Sequence, residues 1–338
     1  MIPYASLIQS KSPSYLLQSP PPMNTNPTLR HVAPSSHSQD IASEERIWAV
    51  LSHLSALTLG IGILLPIVGW SDLRRKSNYG AFQNLQALGY QSLGFSIWLL
   101  GFLVLIVVAL TTLIAVFENL SAVPRSWLVF ISIVLFGFFA LYLLLPMIGA
   151  VACAFGKDFR YPVLGDRLAR YLEYKAAEGQ VELNEDHEFR WVAAMGHFSI
   201  LILLWGMLAP FTTWALYGKR TPFLRFQAIQ TLVYQAGVTI LLFIGALLSS
   251  LGLGALYLLL GSNSSADFNP PLGTMGSVMI IGLMLFAIVI LLIVPLFHIL
   301  GQWAGYRVLK GEDYHYPFVG RLVDKWISKN SATEEKLI

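Results

Sequence analysis

Long uncharged stretches dominate the pattern of hydrophobic and polar positions along this chain. Four of them contain no Asp, Glu, Lys or Arg: Ser77 to Phe117, Ser126 to Gly156, Phe226 to Ala266 and Phe268 to Tyr306. A helix needs about 20 apolar residues to cross the ~30 Å hydrocarbon layer of a bilayer, so each stretch is long enough for a membrane span. The pattern predicts an all-α, polytopic integral membrane protein in a lipid bilayer.

Two shorter apolar stretches, Ile47 to Trp70 and Trp191 to Trp214, contain residues that interrupt helices. Proline removes a backbone donor and kinks or ends a helix, so each stretch is predicted to form a broken helical hairpin. Six simple spans remain the alternative. The interrupting residues are Gly60, Gly62 and Pro66 in the first stretch and Gly206 and Pro210 in the second.

The sequence repeats itself. Residues Glu44 to Gln91 align without a gap onto Glu188 to Gln235 at an offset of 144, and 17 of the 48 pairs are identical. Each half closes on a similar segment, Gly156 to Pro162 in the first and Gly311 to Pro317 in the second. A tandem duplication is the simplest interpretation. We therefore predict two four-helix-type modules, each a broken hairpin plus two long transmembrane helices, which pair as an intramolecular pseudo-dimer.

The predicted organisation has five parts. Residues 1–43 hold nine Ser and seven Pro and are predicted to be disordered, because such a segment cannot bury a core. Module repeat 1 covers 44–172, a polar linker 173–187, module repeat 2 188–328 and a C-terminal tail 329–338. Met23 is an alternative start to Met1.

The basic residues indicate an orientation. In each repeat, Lys and Arg follow the first apolar stretch and the end of the repeat. By contrast, Glu118 to Arg125 contains one basic residue and Gly261 to Gly276 contains none. The positive-inside rule then places both termini in the cytoplasm of a multi-pass cell-membrane protein, with an even number of passes in each repeat. Parallel repeats count against an inverted-repeat transporter. The net charge of +3 is scattered over loops and does not indicate a nucleic-acid partner.

The closing segments place apolar residues beside Arg and Lys, which is typical of amphipathic helices on an anionic leaflet. We expect them to act as interfacial anchors. Their apolar positions are Leu164, Leu168, Tyr171, Leu172, Phe318, Leu322 and Trp326.

Polar residues inside the apolar stretches are the candidate site. An ionisable group is costly in a membrane, so the repeated histidines form a functional hypothesis, with a neutral imidazole bonded to a neighbouring helix as the simpler alternative. The glutamines and tyrosines share a helix face that has to turn inward, either to hold helices together or to line a hydrophilic path or recognise a polypeptide backbone. The candidates are His53, His197, Gln83, Gln86, Tyr90, Gln91, Gln227, Gln230, Tyr234 and Gln235.

The combination of Arg46, His53, Pro66 and Trp70 with a Phe-Gln-x-x-Gln segment and a final Tyr-Pro-x-x-Gly resembles a family of small bacterial membrane proteins. That family is similar to the twenty-kilodalton Tic component of the chloroplast inner-envelope protein-import machinery. The Tic-like resemblance implies a four-helix membrane module with both ends on the stromal or cytoplasmic side, and a role attached to polypeptide translocation.

An enzyme is the weakest interpretation, because no Asp or Glu falls inside a membrane stretch and Cys153 has no histidine near it in the sequence. We expect no catalytic residue, metal site or cofactor. The favoured function is a non-enzymatic translocon component or membrane scaffold subunit with membrane-protein partners. The alternative is a small-solute channel or carrier whose path is lined by the histidines and glutamines.

Overall fold

The computed structural model describes residues 41–118, 124–175, 183–261 and 273–335, and all regular structure in these ranges is helical. The predicted all-α membrane fold is thereby confirmed. The predicted disordered segment lies almost wholly outside the described residues, as do much of the linker and the last residues of the tail. Repeat 1 contains α1 (Ser43–Leu54), α2 (Leu64–Leu73), α3 (Asn78–Gly89), a π-helical turn (Tyr90–Gly94), α4 (Phe95–Glu118), α5 (Arg125–Ala154) and α6 (Leu164–Tyr171). Repeat 2 contains α7 (Glu185–Phe198), α8 (Leu208–Tyr217), α9 (Pro222–Gly261), α10 (Gly273–Leu309) and α11 (Val319–Glu335).

The first apolar stretch of each repeat is a broken hairpin, as predicted. The backbone turns at aligned leucines, Leu59 with φ 48°, directly after a 3-10 segment, and Leu203 with φ 52°, within one. A Cβ placed on Gly196 in α7 would lie 3.8 Å from the Cβ of Pro210 in α8. In one straight helix, two residues this far apart in sequence would be separated by about 21 Å. The chain therefore folds back, although residues 185–217 are long and apolar enough to cross a membrane.

Glycine is required where each hairpin closes. A Cβ on Gly62 would lie 1.9 Å from the carbonyl oxygen of Ser55, and one on Gly206 would lie 2.0 Å from that of Ser199. Pro66 and Pro210 are the third residues of α2 and α8, where a helix backbone N–H has no partner four residues back. The prolines therefore mark the first turn of the returning helix.

Four long helices cross the bundle, and they return each repeat to the end at which it began. Cys153 near the end of α5 lies 3.6 Å from Gln83 near the start of α3. Gln230 near the start of α9 bonds to Tyr314 beyond α10 at 2.7 Å. The first and the last elements of each repeat therefore lie at the same end of that repeat.

One core joins the two repeats. It includes Trp70 and Phe82 from repeat 1 and Trp191 and Leu224 from repeat 2. The long helices instead expose apolar side chains, such as Ile97 and Leu100 on α4. Those exposed faces fit contact with lipid.

The two closing helices each bury an apolar side chain in the protein. For α6, the expected exposed apolar face is wrong at Leu168 and Leu172, which are buried in the shared core. The helix packs against α3 of its own repeat and also meets repeat 2, where the Tyr171 ring stacks on His187 with centroids 4.5 Å apart. On α11, Val323 at the position aligned with Leu168 is likewise buried, whereas the three predicted apolar positions are exposed, and their interfacial role stays a prediction. Those three positions are Phe318, Leu322 and Trp326.

Replacing Gly62 or Gly206 by alanine is expected to destabilise the protein. The added methyl group would meet a backbone carbonyl that a side-chain rotation cannot move, and overpacking of this kind costs about 1–3 kcal/mol. The measurement is thermal unfolding of the detergent-purified variants. Gly237→Ala is the matched control, because its Cβ would meet nothing within 4 Å. Equal unfolding temperatures for G62A and G237A would contradict the expected clash.

Candidate functional site

His53 connects three elements of repeat 1. Its Nδ1 lies 3.0 Å from the Tyr161 hydroxyl and its Nε2 lies 3.1 Å from Oε1 of Gln83. The Gln83 amide nitrogen donates to Asp158 at 2.9 Å and to the Phe159 carbonyl at 3.0 Å, so its oxygen is the acceptor for histidine. His53 therefore carries its proton on Nε2 and accepts from the tyrosine at Nδ1. The imidazole is neutral, fully buried and bonded at both nitrogens.

The same network recurs in repeat 2. His197 Nδ1 lies 2.9 Å from the Tyr316 hydroxyl, and its Nε2 lies 3.1 Å from Oε1 of Gln227. Gln227 in turn donates to the carbonyl of Tyr314 at 3.2 Å. One addition is Thr231, whose hydroxyl lies 2.9 Å from His197 Nδ1 and donates to the Gln227 carbonyl. In both copies the histidine is bonded to neighbouring elements of its own repeat.

The second glutamine of each stripe binds backbone. Gln86 donates to the Phe159 carbonyl at 3.0 Å and accepts from the Tyr161 N–H at 2.9 Å. Gln230 makes the same two bonds to the closing segment of repeat 2, at 2.7 Å and 3.2 Å. The polypeptide backbone that these amides hold is therefore the chain's own.

Tyr90 and Tyr234 extend the networks toward the middle of the long helices. Tyr90 donates to the Tyr142 carbonyl at 2.7 Å, and Tyr234 donates to the Phe297 carbonyl at 2.9 Å. Each ring also stacks on the closing tyrosine of its repeat, with centroids 4.2 Å and 3.8 Å apart. Both tyrosines thus connect a long helix, its returning partner and the closing segment.

Gln91 and Gln235 hold the hairpin breaks. Gln91 donates to the Ser52 carbonyl at 3.0 Å and to the Ser55 hydroxyl at 2.8 Å, and Gln235 makes the aligned bonds at 2.7 Å and 3.3 Å. Within the described residues, neither side-chain oxygen has a hydrogen-bond partner. The donors of these amides are used inside each module, which favours a role in holding the fold.

Asp158 joins the network in repeat 1 and was not predicted as a site residue. Its carboxylate accepts from Gln83 and, at 3.3 Å, from the Tyr174 hydroxyl, while Arg160 lies 3.3 Å away. Burial raises the pKa of Asp158, and Arg160 opposes that shift. Burial likewise raises the pKa of Tyr161 well above its usual value and keeps its hydroxyl a donor to His53.

The repeats differ at two further positions. The aligned acid Asp313 lies 3.6 Å from Arg190 and is exposed. Asn84 accepts a short hydrogen bond from Ser52 and donates to the Gly80 carbonyl at 2.6 Å. The aligned residue in repeat 2 is Ala228, so this amide bridges α1 and α3 in repeat 1 alone.

A buried ion pair connects the repeats. Glu188 at the start of α7 accepts from Trp70 Nε1 at 2.9 Å and from the Arg74 guanidinium at 3.0 Å. The side chains of Arg74 and Glu188 are only 7% and 3% exposed. Arg74 also donates to Glu185 at 2.9 Å. This contact was not predicted from the sequence. The signal that could have indicated it was the identity of Trp70 with Trp214 and of Glu188 with Glu44 in the repeat alignment.

Trp191 completes the contact between repeats. Its Nε1 donates to the Leu85 carbonyl at 2.9 Å, and its ring fills the space beside Gly89. The aligned residues, Ile47 for Trp191 and Val233 for Gly89, lie partly exposed on the outer faces. The interface is therefore heterologous, because each repeat contributes a different face to it.

In the described ranges, no group of three or more His, Cys, Asp or Glu side chains is placed to hold a metal ion. The fold and its internal networks define a polytopic membrane protein built from two tandem modules. The family model of magnetosome magnetite crystal formation proteins, MamF/MmsF, matches residues 44–168 and 188–323. The chain belongs to the MamF/MmsF family.

The family match covers one region in each predicted module and supports a bacterial membrane family with an internal repeat. No curated protein and no solved structure matches the chain. The comparisons give no support to the expected likeness to the Tic component, which stays a prediction.

Replacing His53 or His197 by alanine is expected to lower stability to a similar extent. Each change leaves a buried tyrosine hydroxyl without its histidine partner, and an unsatisfied buried group costs about 1–3 kcal/mol. The measurement is the thermal unfolding of each purified variant. His298→Ala is the control, because His298 bonds to a carbonyl of its own helix. A loss no larger than that of H298A would show that the networks do not hold the modules.

Proposed function

We propose that this chain is a non-enzymatic membrane protein that serves magnetite crystal formation as a rigid two-module scaffold. The observation that carries this proposal is the match of the magnetite-formation family model to both repeats. We assign the process named for the family, magnetite crystal formation, to this chain because the chain belongs to that family. The scaffold role is our interpretation of how the two modules contribute.

The buried networks support a scaffold. His53 and His197 have both ring nitrogens occupied, and the glutamine donors bind backbone carbonyls of the same module. A group that lines a solute path needs free donors or acceptors facing water. In the networks described above, these groups instead fix the positions of helices against one another.

The contact between repeats supports an intramolecular pseudo-dimer. Trp70 and Arg74 meet Glu188 in a buried setting, and Trp191 fits beside Gly89. Such a contact holds the modules in one relative position. We propose that the fused pair replaces an association between separate modules.

The orientation is part of the proposal. The basic loops after α2 and α8 and the closing helices lie at one end of the bundle, and the positive-inside rule places that end in the cytoplasm. Both termini would then face the cytoplasm, whether the membrane is the cell membrane or one derived from it.

Deleting the gene in a magnetite-forming bacterium that carries it is expected to change the number or size of the crystals. Electron microscopy gives the size distribution, and total cell iron is measured in parallel. Changed crystals at unchanged iron content, restored by the wild-type gene, would support the scaffold. A proportional fall in cell iron would favour the channel or carrier, and unchanged crystals would contradict the proposal.

Breaking the pair between the repeats is expected to separate the modules. A protease site is inserted between positions 178 and 179, and the cleaved protein is passed over a sizing column in detergent. Cleaved wild-type halves should elute together, whereas Glu188→Ala should release them, because removing one partner of a buried ion pair costs about 3–5 kcal/mol. Glu44→Ala, the aligned but exposed position, is the control. Halves that remain together in E188A would contradict the role of this pair.

A further inference from the structure

A cleft of about 690 Å³ lies where the two repeats meet, between the loops that follow α2 and α8. These loops are aligned copies of one another and both are basic, with Arg74, Arg75 and Lys76 in the first and Lys219 and Arg220 in the second. Four of these cations, all except Lys219, line the cleft. The cleft thus gathers charge from both copies of the duplicated loop.

Two of the lining cations are already neutralised. Arg74 is held by the two glutamates of α7, and Lys76 pairs with Asp72 at 2.7 Å. Asp72 and Glu185 are the acidic residues that line the cleft, and both are used in these pairs. In the described part of the chain, Arg75 and Arg220 have no carboxylate partner, so two guanidinium groups remain for a ligand.

The start of α9 adds to the positive potential. Thr221 and Pro222 line the cleft, and Pro222 is the first residue of this 40-residue helix. The first N–H groups of a helix have no acceptor within the helix, and the helix dipole favours an anion at this end. The N-terminus here is joined by two arginines in the same cleft, which is the combination that phosphate sites use.

We propose that this cleft binds the phosphate of an anionic lipid headgroup through Arg75, Arg220 and the first turn of α9. Arginine presents two parallel N–H donors that match phosphate oxygens. The cleft lies where the long apolar helix α9 begins, and basic pockets between membrane helices recognise anionic lipids. A bound lipid would touch both repeats at once. This proposal does not depend on the proposed role in crystal formation.

Native mass spectrometry of the full-length protein tests the site. The detergent-purified, delipidated chain is titrated with phosphatidylglycerol, with phosphatidylcholine and with inorganic phosphate. We expect one phosphatidylglycerol to bind more tightly than phosphatidylcholine. The double variant Arg75→Gln and Arg220→Gln should weaken that binding tenfold or more, because it removes both charged donors to the phosphate. Both arginines are exposed, and thermal unfolding verifies that the variant is folded.

Lys219→Gln is the matched control, because Lys219 aligns with Arg75 but does not line the cleft. Binding that falls in the double variant and not in K219Q supports the proposal. Inorganic phosphate that binds without phosphatidylglycerol, and is lost in the double variant, would keep the anion site and overturn the lipid. Equal lipid binding by all three proteins, or no binding at all, would overturn the site.

Discussion

A buried imidazole that needs two hydrogen-bond partners is the constraint on which each module depends. Inside a bilayer no water is present to satisfy a polar group, so its partners have to come from the protein. His53 finds them on α3 and on the segment after α5, and His197 finds them at the equivalent places. Each histidine therefore fixes a hairpin, a long helix and the closing segment relative to one another.

The glutamines turn that constraint into a folded module. The closing segments after α5 and α10 are not helical where they pass the networks, and their backbone groups need partners. Gln86 and Gln230 supply a donor and an acceptor to these segments, two residues apart. Polar side chains thus satisfy the hydrogen-bonding groups of irregular backbone close to the membrane.

Much of this arrangement could be predicted from the sequence because duplication marks it twice. The aligned glycines and prolines indicated the broken hairpins, and the aligned glutamines indicated an inward polar face. The partners of those residues could not be predicted, since Gln83 meets Asp158 and Phe159 only after α4 and α5 have crossed and returned.

The burial of α6 could not be predicted from the sequence either, because an apolar helix face has the same residue pattern whether lipid or another part of the protein covers it. In α11, the copy of α6, Val323 at the position of Leu168 is buried as well, whereas Phe318, Leu322 and Trp326 are exposed. Local pattern sets which face of such a helix is apolar, and tertiary contact decides what covers that face.

The heterologous contact between the repeats has an evolutionary consequence. In a symmetric dimer of identical subunits, every substitution at the contact appears on both sides and has to suit both. Fusion into one chain removes that requirement, because each side is encoded separately. Trp191 and Gly89 could then evolve as a complementary pair, a large side chain beside a glycine. Their counterparts Ile47 and Val233 could change independently on faces that suit contact with lipid.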